Sequence, residues 1–265
     1  YIKEIDIDQL WSGQTHIHWK LDRSVNVLSG VNGVGKSTIL NRVIRKISGQ
    51  EAYVEKFGKG VRIDTFPEDA KKIRYDIIRS IDRPLLSSYA LGKLDHSLMT
   101  ELDWQLFLLQ RRYLDYQVNM GNRIIQALQS GKPGAAEEAQ KLSAQKNKFQ
   151  NLVDGLFAET GKKLIRTENE ICFSLMGEII HTPQLSSGEK QILCILLTVL
   201  VQDMQPYVLF MDEPEVSLHV DWQERLIEMV LDLNPNVQII LTTHSPAVIM
   251  KGWLDRVTNV EEIIV

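Results

Sequence analysis

The spacing of apolar and polar positions along this chain changes period several times. The opening alternates through "YIKEIDID", "THIHWKL" and "VNVLSG", as strands with one buried face do. A helical period follows from Lys36 to Ile47, with Ile39, Val43, Ile44 and Ile47 on one side and Gly49 placed to end it. Another strand is expected at "IRYDIIRSI", Ile73 to Ile81. From Ser97 to Glu159 the pattern turns helical: "MTELDWQLFLLQRRYLDYQVNMGNRIIQALQ" reads as one long helix, "SGKPGA" breaks it, and "EEAQKLSAQKNKFQNLVDGLF" reads as a second. Sheet patterning resumes in "KLIRTENEICFSL" and "EIIHTP", a hairpin or meander. A helix, a buried strand "YVLFM", a helix from Trp222 to Leu233 and a buried strand "VQIILTT" complete the series. Continuous apolar strands alternating with helices predict a parallel sheet covered on both faces. The expected division is an N-terminal lobe at 1–96, an inserted helical hairpin at 97–160 and a C-terminal lobe at 161–265.

Composition narrows the picture only modestly. The chain has 265 residues, 44% hydrophobic and 24% charged, which suits a soluble globular protein with a full core. Its longest apolar run, "ILCILLTVLV", is shorter than the roughly 18 residues a membrane helix needs, so no membrane association is expected. No secretory leader is visible, and the two cysteines, Cys172 and Cys194, stand in apolar surroundings with no metal-ligand spacing. A reducing cytoplasm is therefore the expected location. The net charge of −4 gives no global reason to expect nucleic-acid binding, although a local basic patch is compatible with it. Between Glu101 and Glu159 seven acids balance seven bases, with the bases gathering at Lys141–Lys148. A solvated face and a partner- or DNA-facing surface both fit that distribution.

Three motifs carry chemistry. Gly30-Val-Asn32-Gly33-Val34-Gly35-Lys36-Ser37-Thr38 fits G-x-x-x-x-G-K-[ST] between a strand and an amphipathic helix. Its glycines let the chain curl so that backbone N–H groups and a helix N-terminus meet a polyphosphate. Lys36 then neutralises β/γ oxygens, and the Ser37 hydroxyl sits on Mg²⁺. Second, "YVLFMDEPE" runs an apolar strand into Asp212 and Glu213 at a carboxyl edge, where ligands of open α/β sheets lie. Asp212 is expected to hold Mg²⁺ and Glu213 to polarise the attacking water. His244 ends the strand "VQIILTTHSP" at a neighbouring edge and is expected to contact a γ-phosphate.

Third, "LSSGEKQILCILL" opens another helix. Ser186 and Glu189 form the capping box S-x-x-E, which is a sufficient structural explanation by itself. Ser187 and Gly188 nevertheless expose donors at a helix start, an anion site for which one chain with one phosphate loop has no second phosphate. A two-fold dimer resolves this: the Ser186–Glu189 segment of one copy covers the nucleotide gripped by Lys36 of the other.

Together these motifs resemble the ABC-type ATPase superfamily, on the branch shared by SMC, RecF and OLD-family ATPases. "GVNGVGKST" is similar to its Walker A, "LSSGEKQ" to its signature motif, "LFMDEPE" to its Walker B with catalytic Glu, and "TTHS" to its switch His. The resemblance implies an α/β P-loop fold with an N-terminal antiparallel β-subdomain, a parallel core sheet and an inserted hairpin. It implies ATP and Mg²⁺ as ligands and Glu213, His244 and Lys36 as catalytic residues. "EVSLHVDWQ" is similar to the loop after Walker B in OLD-like and bacterial defence ATPases, which implies contacts across a dimer by Ser217 to His219; a plain helix start also explains Ser217. No Q-loop glutamine stands after Walker A; Arg79, Asp82 or Arg83 occupies its expected place. The short stretch after His244 leaves no room for the nuclease domain of OLD proteins, so effector chemistry is expected from another chain or from sequence outside this one.

The resemblance implies an ATP-driven switch that regulates a nuclease or toxin, or acts on DNA, in prokaryotic anti-phage defence. Two alternatives stay open. A DNA-structural or repair ATPase of the SMC or RecF kind predicts a basic face and salt-steep binding. A transporter's nucleotide-binding subunit predicts a Q-loop Gln and no hairpin.

Overall fold

The computed structural model describes residues 1–10, 15–49, 60–68, 70, 72–79 and 100–265. Its strands and helices run β1 Ile2–Leu10, β2 Thr15–Lys20, β3 Val25–Ser29, α1 Lys36–Ser48, β4 Val61–Thr65, β5 Tyr75–Arg79, α2 Glu101–Gln129, α3 Ala135–Leu156, β6 Lys163–Leu164 and β7 Cys172–Leu175. They continue with β8 Glu178–His181, α4 Ser187–Leu200, β9 Tyr207–Asp212, α5 Val220–Leu233, β10 Val237–Thr242, α6 Pro246–Met250 and β11 Val257–Asn259. The chain divides into two compact units: Tyr1–Ser80 with Gln205–Ile227 and Asn236–Val265, and Ile81–Met204 with Glu228–Pro235.

The first unit contains a five-stranded sheet in the order β11-β3-β10-β9-β5 and a three-stranded sheet β2-β1-β4. All four pairings of the larger sheet are parallel, and those of the smaller one are antiparallel. All of β10 is buried, and β9 is buried up to Asp212. That is why "VQIILT" and "YVLFM" show no alternation: a strand covered on both faces has no polar side. The unit's core joins Ile5, Ile7, Ile17 and Trp19 of the antiparallel sheet to Ile39, Leu40 and Val43 of α1 and to Phe210 and Ile240 of the parallel sheet. Two strands escaped sequence reading. β4 offers five residues of weak alternation, and β11 only three, which acquire strand character by pairing in parallel with β3.

In the second unit α2 packs on α3 and on α4, and β6-β7-β8 forms an antiparallel meander. A capping box at Thr100 and Asp103 starts α2. Its core includes Leu106, Leu109, Tyr113, Phe149 and Val153. In α4 every residue from Glu189 to Leu200 is buried. A helix apolar all round is a core helix. Lys190 is accommodated by pairing with Asp103 at 2.8 Å. These units group the chain differently from the three-part division expected from sequence: α4 clusters with the helical hairpin rather than with the strand that carries Asp212. No helix among the described residues is long and apolar enough to cross a membrane.

Candidate functional site

Strand order assembles the site in the first unit. β3, β10 and β9 are adjacent and parallel, so the loop before α1, His244 and the Asp212–Glu213 pair all emerge at one carboxyl edge. The α1 N-cap is Gly35 in the left-handed region (φ 99°), with no side-chain cap. The first-turn amides of α1 are thereby left for a ligand, in contrast to α2 and α4, where the capping side chain takes one of them, the amides of Asp103 and Glu189. Gly33 also has positive φ, and a Cβ there would meet nothing, so its constraint is backbone curl rather than space. Asn32 and Gly33 are exposed, Val34 and Ser37 half-buried, and Thr38 exposed.

Lys36 is 4% exposed. Its Nζ donates to the carbonyls of Gly30 (3.0 Å) and Val31 (3.3 Å) and lies 3.4 Å from His244 Nδ1. Burial pulls its pKa below the ordinary lysine value, against the opposing pull of the Glu213, Asp212 and Glu215 carboxylates. The Ser37 hydroxyl donates to Asp212 Oδ1 at 2.8 Å, and the buried Thr242 hydroxyl donates to the same oxygen at 2.6 Å. A hydroxyl and a carboxylate side by side are hard oxygen donors, the chemistry a small divalent cation requires. The chain therefore fits a polyphosphate at the amides and Lys36, with Mg²⁺ at Ser37 and Asp212.

Glu213 adopts φ 49°, an uncommon conformation for a non-glycine residue that costs roughly 1–3 kcal/mol. It is held there by its N–H, which donates to the Thr242 carbonyl and hydroxyl, each at 3.1 Å. Its Oε1 lies 2.8 Å from His244 Nε2. A lysine ammonium can only donate, so His244 Nδ1 accepts from Lys36 and Nε2–H donates to Glu213. The three residues expected to be catalytic thus form one hydrogen-bonded chain.

Sequence reading missed Glu215. This residue is 6% exposed, and its Oε1 accepts from the Thr243 hydroxyl (2.6 Å), His244 N–H (2.9 Å) and Ser245 N–H (3.3 Å). Gln223 reinforces the same loop by accepting from the Ser245 hydroxyl at 2.6 Å. The available signal was the third acid of "DEPE", set apart by a proline and followed by no charged run.

The opening of α4 belongs to the second unit. Ser186 and Ser187 are exposed, whereas the Glu189 carboxylate is buried in the cap and accepts from Lys162 Nζ (2.8 Å) and the Thr160 hydroxyl (3.1 Å). Burial works against ionisation of Glu189, but the Lys162 and Ser186 hydrogen bonds outweigh it and hold the carboxyl below its usual range. The expectation that Glu189 binds nucleotide does not suit a carboxylate engaged in this way. Val216, His219 and Val220 stand exposed after the acidic strand end, and Ser217 is half-buried. Arg79 ends β5 in register with Asp212 and is exposed, while Asp82 and Arg83 lie outside the described residues.

The fold is the α/β P-loop fold of ABC-type ATPases, as found in SMC heads. An SMC head solved with the C-winged helix domain of ScpA superposes with a TM-score of 0.55, covering 95% of this chain and 91% of that one at 13% identity. Residues 170–250 match the family described as "AAA domain, putative AbiEii toxin, Type IV TA system". The chain is similar to Septu protein PtuA of Bacillus thuringiensis, at 24% identity over 96% of this chain and 74% of that protein. It is also similar to the Retron Vc95 probable ATPase of Vibrio cholerae serotype O1 biovar El Tor, at 26% identity over 33% of this chain. The chain spans 19% of that retron protein's length.

Proposed function

We propose that this chain is an ATP-hydrolysing switch that works as a pair of copies. Each nucleotide is held by the phosphate loop of one copy and covered by Ser186, Ser187 and Gly188 of the other. The observation that carries the reading is the continuous link Lys36–His244–Glu213, with Ser37 and Asp212 joined beside it. In this reading Lys36 leaves its resting carbonyls for the phosphate oxygens, and Asp212 and Ser37 hold Mg²⁺. When bound, that ion supplies the positive charge that screens the phosphates. Glu213 accepts the proton of the water that attacks the γ-phosphorus as its bond to the β-bridging oxygen breaks, and His244 keeps Glu213 aimed.

Support for the two-copy arrangement lies in α4: its exposed Ser187 opens a unit that carries no phosphate loop of its own. The exposed Val216 and His219 suit contacts across the same dimer. Segments 1–96, 97–160 and 161–265 then act as loop-bearing lobe, relay and signature lobe, with the hairpin passing closure to a partner.

The similarity to a Septu protein and a retron ATPase supports a role in prokaryotic defence, in the cytoplasm, with an effector such as a nuclease or toxin as partner. A second reading, direct action on DNA, follows from the resemblance of the motifs to SMC and RecF ATPases. A Glu213→Gln variant keeps the loop and cation contacts but removes the proton acceptor, so with saturating ATP it should elute as a dimer on a sizing column. Elution as a monomer under those conditions would sink the proposal. Offered duplex DNA or a cell extract, the trapped dimer should retain either the DNA or an effector protein.

A further inference from the structure

Within the second unit, the first half of α2 and the turn Thr182–Gln184 enclose a cavity of about 660 Å³. That volume lies inside the roughly 300–1,000 Å³ of small-molecule sites. Its lining sorts by chemistry. Phe107, Leu114 and Pro183, all half-buried, make an apolar wall. Gln110 and the buried Thr182 put hydrogen-bonding groups at the inner end, and the rim carries the exposed Arg111 and Glu170. Asp103 also lines the cavity, but its carboxylate is engaged by Lys190 and by the start of α2.

The hydrogen bonds at the inner end leave donors over. Gln110 Oε1 accepts from the Ile171 N–H at 2.9 Å, and its Nε2 donates to the Thr182 hydroxyl oxygen at 3.3 Å. A side-chain amide has two N–H groups, so one is unspent. The Thr182 hydroxyl has accepted a bond and still has its own proton to give. Thr182 is 3% exposed, and among the described residues no acceptor takes that proton. A buried donor without an acceptor is a cost that an oxygen or ring nitrogen of a ligand removes. At the rim, the Arg111 guanidinium lies 4.9 Å from the centroid of the Phe107 ring, which itself stacks on Trp104 at 5.5 Å and 21°. Among the described residues Arg111 forms no ion pair, so its charge is steadied by the ring without being neutralised.

The geometry points to a binding site for a nucleoside monophosphate, entered base first. Acceptors on the base edge take the Gln110 N–H and the Thr182 O–H, and the flat ring lies along Phe107, Leu114 and Pro183. Glu170 suits the ribose hydroxyls, as carboxylates do in dinucleotide sites, and Arg111 suits the phosphate. A fatty acid would leave the inner donors unpaired, and a sugar phosphate would leave the apolar wall uncovered. The cavity belongs to the second unit and Lys36 to the first, so the assignment stands apart from the proposed function.

The test titrates the whole chain, free of ATP, with AMP, GMP, CMP and UMP in turn by isothermal calorimetry. At least one should bind once per chain with Kd below about 1 mM. Thr182→Val keeps the shape and removes the O–H, and Arg111→Ala removes the charge; each should weaken that binding by about tenfold or more. Lys36→Met, which disables the phosphate loop, should retain it, as should Glu138→Gln on the exposed side of α3. A thermal melt of each variant without ligand establishes that it is folded, and two independent cavity variants guard against loss of one. Three results would overturn the assignment: no binding by any of the four, binding that survives both cavity substitutions, or binding that disappears with Lys36→Met and so belongs to the phosphate loop.

Discussion

Glu215 offers the sharpest perturbation of the candidate site, because it touches none of the reacting groups and yet fixes His244. Removing its carboxylate as Glu215→Ala strands two good donors, the Thr243 hydroxyl at 2.6 Å and the His244 N–H at 2.9 Å, and releases a longer third, Ser245 N–H at 3.3 Å. Hydrogen bonds to a charged group are each worth about 1.5–3 kcal/mol, so the two short ones represent about 3–6 kcal/mol. The substitution also removes Oε2, which is buried without a hydrogen-bond partner, a relief of about 1–3 kcal/mol. The net cost to the ordered 243–245 segment is about 2–3 kcal/mol. If that cost falls on the His244–Glu213 contact, kcat for ATP turnover drops between about 30- and 150-fold. Lys36 and the amides of α1 keep their hydrogen-bonding geometry, so ATP affinity should stay within about threefold of wild type. Glu215→Gln keeps the shape and one uncharged acceptor, and should fall between wild type and Ala. Steady-state turnover, nucleotide titration and a thermal melt separate the three effects. A folded Ala variant that keeps kcat within about twofold, or one that loses ATP affinity as steeply as turnover, refutes the positioning role.

Two other substitutions probe the energetics. Because burial lowers the Lys36 pKa, the folded chain holds that proton less tightly than the unfolded chain does. Its charge is therefore a net cost at neutral pH, relieved only as pH rises through the folded value. Lys36→Met should melt no lower than wild type at pH 7 without nucleotide, while isothermal titration shows ATP affinity about 100-fold weaker or worse. Glu189 has the opposite sign: its folded pKa lies below the ordinary 4.5, so its contribution is present above that value and is lost as pH falls beneath it. Glu189→Gln should cost about 3 kcal/mol at pH 7 in urea unfolding, as breaking a buried pair does. The difference from wild type should narrow below pH 4.5.

Much of this architecture was legible because local pattern and tertiary role agree. The "YVLFM" and "VQIILTT" runs are central strands of a covered sheet, and the glycine-rich loop before Lys36 stands where a strand hands over to a helix. Legibility failed where tertiary context decides. β11 is too short for any period to register, and the alternation of β4 is weak. The all-round burial of α4 was masked by Lys190, whose charge is neutralised by Asp103 far away in sequence. Glu215 was invisible as a positioning residue because its three donors come from residues 28 to 30 positions later in the chain.

The pairing of copies around the nucleotide is tested most directly by mixing two inactive variants. Lys36→Ala removes the phosphate grip, and Gly188→Asp places a carboxylate at the exposed opening of α4. If each site is built from both copies, a mixed dimer contains one intact site, and an equimolar mixture should recover about a quarter of wild-type ATP turnover. If each copy is complete in itself, the mixture will turn over ATP no faster than the average of its two parents, and the two-copy account will be contradicted.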